Sequence, residues 1–318
     1  MSRNTNISEI LFPVECKPVY LENQRNPIHG FKAITAAIPE KGEVTFSVVS
    51  NNYELISNAE ALEMGKTIHK KLFPDATSNS FEIFNIISPD TKSFCQIDII
   101  DKNYALNIWE KEVYLPFIRI QNSYNRTRML KFDIGFCRKL CDNGVIFEQG
   151  TVSVNFRHTK TSFKGMDINK IDVSHLKNLE EDFIKKANKS TKIKIPGKYF
   201  IPLAAKVLNR NFNLKEKNEQ KRQIILEKLN EFILQIELYS DRYINTENMG
   251  ETAYAFFNVI TDYASNNDKL QANAINGLQS SCGIWLNLIE SKVSEPKFSW
   301  EIEVKDYQYL NDSKEFKL

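Results

Sequence analysis

In the first half of the chain, apolar residues recur mostly every second position, in short runs closed by turn formers. Phe31 to Ile38 and Val44 to Val49 are two β-rich runs around Pro39-Glu40-Lys41-Gly42, a hairpin signature. Phe81 to Ile87 and Phe94 to Ile100 flank the turn Ser88-Pro89-Asp90. Val113 to Ile120, Arg128 to Phe136 and Val145 to Phe156 continue the pattern, with Asp142-Asn143-Gly144 as the turn between the last two. One segment breaks the alternation. Ser57-Asn58-Ala59-Glu60 matches a capping box, and Ala61, Met64, Ile68 and Leu72 then mark one helical face, with His69 on the solvated side and Pro74 as the stop. These residues predict a largely antiparallel sheet carrying a helix.

Near Gly165 the periodicity changes. Asp172 to Asn188 reads as a helix, interrupted by Ile195-Pro196-Gly197. Ile225, Leu229, Phe232, Ile236, Tyr239 and Tyr243 then step by four and three, the face of a long amphipathic helix. Helices follow over 251–264 and 272–292, and Phe298 to Tyr307 alternates like a short strand. The expected class is α+β: a sheet domain over residues 1–165 and a mainly helical domain over 166–318.

Composition adds charge to this picture. The chain has 318 residues and a formal net charge of +2. By segment, residues 1–118 carry −4, 119–184 carry +3, 185–228 carry +10 and 229–318 carry −7. Near-neutrality therefore conceals a basic middle, +13 over residues 119–228, between acidic ends. Uniform coating of a polyanion is excluded by this distribution, and a localised polyanion site is not.

Cys16, Cys95, Cys137, Cys141 and Cys282 are odd in number and scattered, which suits a reduced compartment better than a disulfide framework. The Cys137-x3-Cys141 pair lacks a His-x3–5-His partner, so two small buried thiols are expected there and no metal. Residues 1–20 contain no apolar run of signal-peptide length, and no stretch has the ~18 apolar residues of a membrane helix. A cytoplasmic protein without a membrane partner is the expectation.

Catalytic signatures are missing. There is no phosphate-binding glycine loop, His-Glu-x-x-His or Gly-x-Ser-x-Gly, and His29, His69, His158 and His175 are far apart. Glu303-Val304-Lys305 is the Glu-x-Lys fragment of a nuclease, but no upstream carboxylate partner is suitably placed. The chain reads as non-enzymatic, with no catalytic residues and no cofactor.

Polyanion recognition has more support. Arg119, Tyr124, Arg126, Arg128, Arg138, Lys139 and Arg157 lie on or beside predicted strands among Asn and Ser, where arginine forks can hold phosphates and aromatic rings can stack on bases. Tyr124, Phe132, Phe136 and Phe156 are the aromatic residues of that region. Lys185, Lys186, Lys189, Lys192, Lys194 and Lys198 form an acid-free run suited to tracking a sugar-phosphate backbone. The competing reading is a solvated lysine linker, with Arg126 and Arg138 paired to acids inside the fold.

Several short segments occur in a telling order: Ser50-Asn-Asn-Tyr53-Glu-Leu-Ile-Ser-Asn58-Ala, Phe117-Ile-Arg-Ile-Gln-Asn-Ser-Tyr-Asn, Gly135-Phe-Cys-Arg138-Lys-Leu-Cys141-Asp-Asn143-Gly144, Arg157-His158-Thr159 and Tyr254-Ala-Phe-Phe-Asn258-Val-Ile-Thr261-Asp-Tyr263. Over roughly residues 45–285 the chain resembles the phage/plasmid-like protein family, domain of unknown function 932. The resemblance implies a mobile-element accessory protein in the cytoplasm of a bacterial host, and no particular activity. The leading expectation is binding of nucleic acid, single-stranded DNA above all, through the basic middle. The alternative is an oligomeric interaction protein that inhibits or scaffolds a host defence complex through its acidic C-terminal quarter. A homo-oligomer is expected from the opposed charges of middle and end.

Overall fold

The computed structural model describes residues 2–3, 6–39, 41–77, 80–108, 112–138, 143–146, 153–164, 175–266 and 272–311. In chain order these form β1 (Ser2–Arg3), β2 (Glu15–Pro18), β3 (Phe31–Ile38), β4 (Gly42–Ser50), α1 (Asn58–Leu72), β5 (Phe81–Ser88), β6 (Phe94–Asp101), β7 (Leu106–Asn107), β8 (Val113–Ser123), β9 (Leu130–Arg138), β10 (Asn143–Ile146), β11 (Ser153–Phe156) and α2 (Lys160–Lys164). The helices α3 (His175–Ser190), α4 (Phe200–Val207), α5 (Glu219–Asp241), α6 (Ala253–Asn266), α7 (Ala272–Val293) and α8 (Trp300–Glu303) follow. The fold is α+β, with antiparallel sheets and a helical C-terminal region.

The chain divides into two compact units. One comprises Met1–Ala105, Leu115–Gly135 and Gln149–Lys177; the other comprises Leu106–Tyr114, Phe136–Glu148 and Asn178–Leu318. This differs from a single boundary at residue 165, because the second unit also takes two segments from the strand-rich half.

In the first unit, β2, β3 and β4 form an antiparallel sheet in which Phe31 faces Ser50 and Ile38 faces Gly42 across the expected hairpin. Gly42 sits at φ 74°, which a side chain would strain. The larger sheet has the order β1-β5-β6-β8-β9, with β11 also on β9. β6 is buried along its whole length, so its apolar Ile97, Ile99 and Ile100 pack alongside the polar Gln96 and Asp98.

α1 begins as its capping box predicts: the Ser57 hydroxyl accepts the Glu60 N–H at 3.1 Å, and the Glu60 carboxylate accepts the Ser57 N–H at 2.7 Å. Its face packs Ala61, Leu62 and Ile68 onto Ile97, Ile99, Ile118 and Ile120. His69 departs from expectation. It is buried 3.6 Å from Asp101 and between Phe73 and Phe81, because the core-facing stripe of α1 is wider than its four aliphatic residues.

In the second unit α6 is buried on every side from Ala253 to Ala264, with α5 and α7 packed against it. α5 buries Leu229, Phe232 and Ile236 at the predicted spacing and ends in a π-turn over Arg242–Thr246 that buries Tyr243. The strand expected over Phe298 to Tyr307 is instead α8 followed by a 3-10 turn, Lys305–Leu310. Ser299 caps α8 by accepting the Ile302 N–H at 3.2 Å, a local bond that outcompetes the alternating pattern.

Candidate nucleic-acid interface

β8 carries the densest group of motif residues, and its last turn is an internal brace. Asn122 donates to the Ile56 carbonyl at 3.0 Å and to the Asn58 side-chain oxygen at 2.9 Å. Tyr124 is fully buried against Phe12 and Phe46, and its hydroxyl accepts the Asn58 backbone N–H at 2.8 Å. Asn58 in turn donates to the Ile10 carbonyl. Burial raises the Tyr124 phenol pKa far above its ordinary value. Tyr124 therefore cannot stack on a base. It fixes where α1 starts and where the next loop leaves the sheet.

That loop, residues 125–129, is held from both ends. Asn125 donates to Ser93 Oγ at 3.1 Å, while its side-chain oxygen accepts from the Thr127 N–H and hydroxyl. Ser123 Oγ accepts the Arg128 N–H and donates to the Arg128 carbonyl, both at 3.0 Å. Between these ties Arg126 occupies the left-handed region, φ 65°, uncommon for a long side chain.

The loop forms one wall of an open cleft of about 640 Å³ lined by Arg126, Thr127, Arg128, Met129, Lys131, Arg157, Tyr53, Gln121, Asn155 and His158. Among the described residues, four cationic side chains line it and no carboxylate does. Lys131 is paired with Asp133 at 3.0 Å. Among the described residues, no carboxylate pairs with Arg126, Arg128 or Arg157. Arg126 and Arg157 are exposed; Arg128 is half-buried with its guanidinium 4.4 Å over the Phe94 ring.

The cleft floor joins two motifs that are a hundred residues apart in sequence. Tyr53 bridges to Thr159 in antiparallel register, and the Glu54 N–H donates to the His158 carbonyl at 3.2 Å. The Tyr53 and His158 rings stack at 5.1 Å, 4° from parallel. Burial pushes the Tyr53 phenol up to about 12, against the opposing charge of Arg126. Burial also lowers the His158 pKa, partly offset by the contact of Nδ1 with the Glu54 carbonyl. At neutral pH the floor is uncharged and the walls are cationic.

The remaining expected contacts lie elsewhere. Arg119 is buried opposite Asp98, its forked ion pair at 2.6 and 2.7 Å. Arg138 is fully buried in the second unit, paired with Glu112 and Glu247, while Arg242 and Tyr243 hold Asp262 at 3.2 and 2.8 Å. These two arginines form core ion pairs and are not the surface contacts expected of them: unpaired, each would leave a buried charge. Phe132 and Phe136 are likewise core, the latter stacked on Phe183 at 4.7 Å. Lys139 and Cys141 lie outside the described residues; Cys137 is buried.

The lysine run belongs to the second unit. Lys186 is held by Asp182 and by Asn287 at 2.9 Å, and Lys189 pairs with Glu290 at 2.5 Å. Lys185, Lys192, Lys194 and Lys198 are exposed, the last 4.9 Å over Tyr199. Glu303 of the Glu-x-Lys fragment is occupied by Lys206 and Lys292 at 2.9 and 2.8 Å. Burial alone would raise its pKa; the two ammonium groups outweigh that and hold it below the usual carboxylate value.

Of the cleft lining, Arg126, Arg128 and Arg157 are foreseeable from the sequence, whereas Tyr53, Gln121, Asn155 and His158 are not marked there as contacts. Tyr53 and His158 were visible as members of two motif segments; only the fold reveals that they touch. Among the described residues no helix is long and apolar enough to cross a membrane.

No curated protein and no solved structure matches the chain. A family model does, the Domain of unknown function (DUF932), over residues 45–282, a span that contains the whole lining of the cleft. The chain belongs to the DUF932 family.

Proposed function

We propose that this protein binds nucleic acid, single-stranded DNA in the first instance, in the cleft walled by Arg126, Arg128 and Arg157. The observation that carries this reading is the convergence of three guanidinium groups that, among the described residues, have no carboxylate partner and share a cleft that no acid lines. Like charges held together repel, and an anion bridging them relieves that cost while gaining forked hydrogen bonds. Gln121 and Asn155 add amide groups at the same wall. Titrating labelled single- and double-stranded DNA and RNA at low salt tests this reading. Binding that weakens steeply with salt is expected; no binding to any of them ends the proposal.

A second reading, an oligomer or a binder of a host protein complex, rests on a different surface. Leu234 and Leu238, one turn apart on α5, are 65% and 67% exposed, with Glu227, Glu231 and Glu237 on the same helix. An apolar pair with acidic neighbours suits a basic partner or a second copy. Light scattering of the purified protein, with a nuclease-treated pull-down, separates the two: only monomer and no stoichiometric partner removes this reading.

A further inference from the structure

Arg128 differs from the other two arginines in a way that bears on the ligand. Its guanidinium lies over Phe94, which is itself buried and held in register opposite Ser123 on β8. Its backbone is clamped at both N–H and carbonyl by Ser123 Oγ. The backbone is thus held in place and the guanidinium sits over an aromatic ring, in a residue that lines the cleft. Burial of Arg128 lowers its pKa, a sign of lost hydration, yet a guanidinium remains protonated at any physiological pH. A half-buried guanidinium seated over a ring is a stacking surface for another π-system more than a phosphate fork, which would need to turn its edge to the ligand.

We infer that Arg128 and Phe94 form a platform on which one unpaired nucleobase stacks, while Arg126 and Arg157 take its flanking phosphates. This rests on the nucleic-acid reading above and narrows it. Bases in a duplex are covered on both faces and cannot use the platform, and a polyanion without aromatic groups gains nothing from it. The ligand class is therefore single-stranded nucleic acid, discriminated from duplex and from polyphosphate by the platform rather than by charge.

Arg128→Lys keeps the charge and removes the plane, which makes it the informative variant. Wild type and R128K are titrated with a short oligothymidylate and with inorganic polyphosphate, after a melt shows the variant folded. The expected result is a loss of about fivefold or more for the oligonucleotide with R128K and little change for polyphosphate. Equal losses for both probes, or none, overturns the platform while leaving nucleic-acid binding standing. A wild type that binds polyphosphate but no oligonucleotide overturns the underlying reading instead. Should R128K not fold, an oligonucleotide containing 2-aminopurine reports on the wild type directly. Its fluorescence is quenched on binding if a base stacks, and unchanged emission in the bound state contradicts the platform.

Discussion

The hydroxyl of Tyr124 accepts the backbone N–H of Asn58, the first residue of α1, at 2.8 Å. Both residues are buried, so removing that oxygen strands an N–H away from water. Tyr124→Phe should destabilise the protein by about 1–3 kcal/mol in chemical denaturation while leaving oligonucleotide affinity unchanged. A variant of full stability with weakened binding would return Tyr124 to the ligand.

Arg126 is held at φ 65° in the left-handed region, where a side chain costs roughly 1–2 kcal/mol. Glycine relieves that strain and gives back part of it as chain entropy. Arg126→Gly should keep or raise stability, by up to about 1 kcal/mol, and weaken oligonucleotide binding severalfold. Loss of stability would mean that the guanidinium supports the fold instead of the ligand.

Gly65 on α1 lies against the sheet, and a Cβ there would meet Ile120 Cδ1 at 2.3 Å and Ile99 Cδ1 at 3.5 Å. Alanine is the better helix former, by about 1 kcal/mol, but Ile120 is fully buried and has nowhere to go. Gly65→Ala should therefore destabilise by about 1–3 kcal/mol, and adding Ile120→Val should recover part of the loss. Stabilisation by the single change would contradict the close packing of α1 on β8.

His69 and His158 both have pKa values lowered from 6.5, burial being the largest cause in each. For His69, Asp101 and the Ile100 carbonyl oppose the shift; for His158, the Glu54 carbonyl does. The unfolded chain then binds protons that the folded chain refuses, so stability is complete above 6.5 and falls as the pH drops through 6.5 towards the folded values. Melting temperature should decline between pH ~7 and ~5.5, and His158→Asn should flatten part of that slope. A flat profile for the wild type would contradict the neutral, buried state of both rings.

Much of this architecture is legible in the sequence where it depends on neighbours in the chain. The Ser57–Glu60 box, the hairpin at Gly42 and the apolar face from Leu229 to Ile236 are all local signals, and the fold repeats them. What was not legible depends on cross-strand register. Arg119 and Arg128 both read as arginines of a basic β region, yet Arg119 lies opposite Asp98 on the neighbouring strand and Arg128 enters a loop over Phe94. Which arginine is neutralised follows from a partner tens of residues away. The same holds for Arg138 and Glu247, for Lys189 and Glu290, and for the Tyr53–His158 stack that floors the cleft.

In the proposed complex, ligand phosphates meet Arg126 and Arg157 directly. The logarithm of the binding constant for single-stranded nucleic acid falls with the logarithm of salt concentration by ~0.7 per phosphate neutralised. Measured by fluorescence anisotropy of a labelled single-stranded oligonucleotide across a salt series, R126A/R157A should bind more weakly and with a salt slope shallower by about 1.4. Wild-type affinity and slope in that variant, with both lost instead on replacing Lys185, Lys192, Lys194 and Lys198, would contradict it.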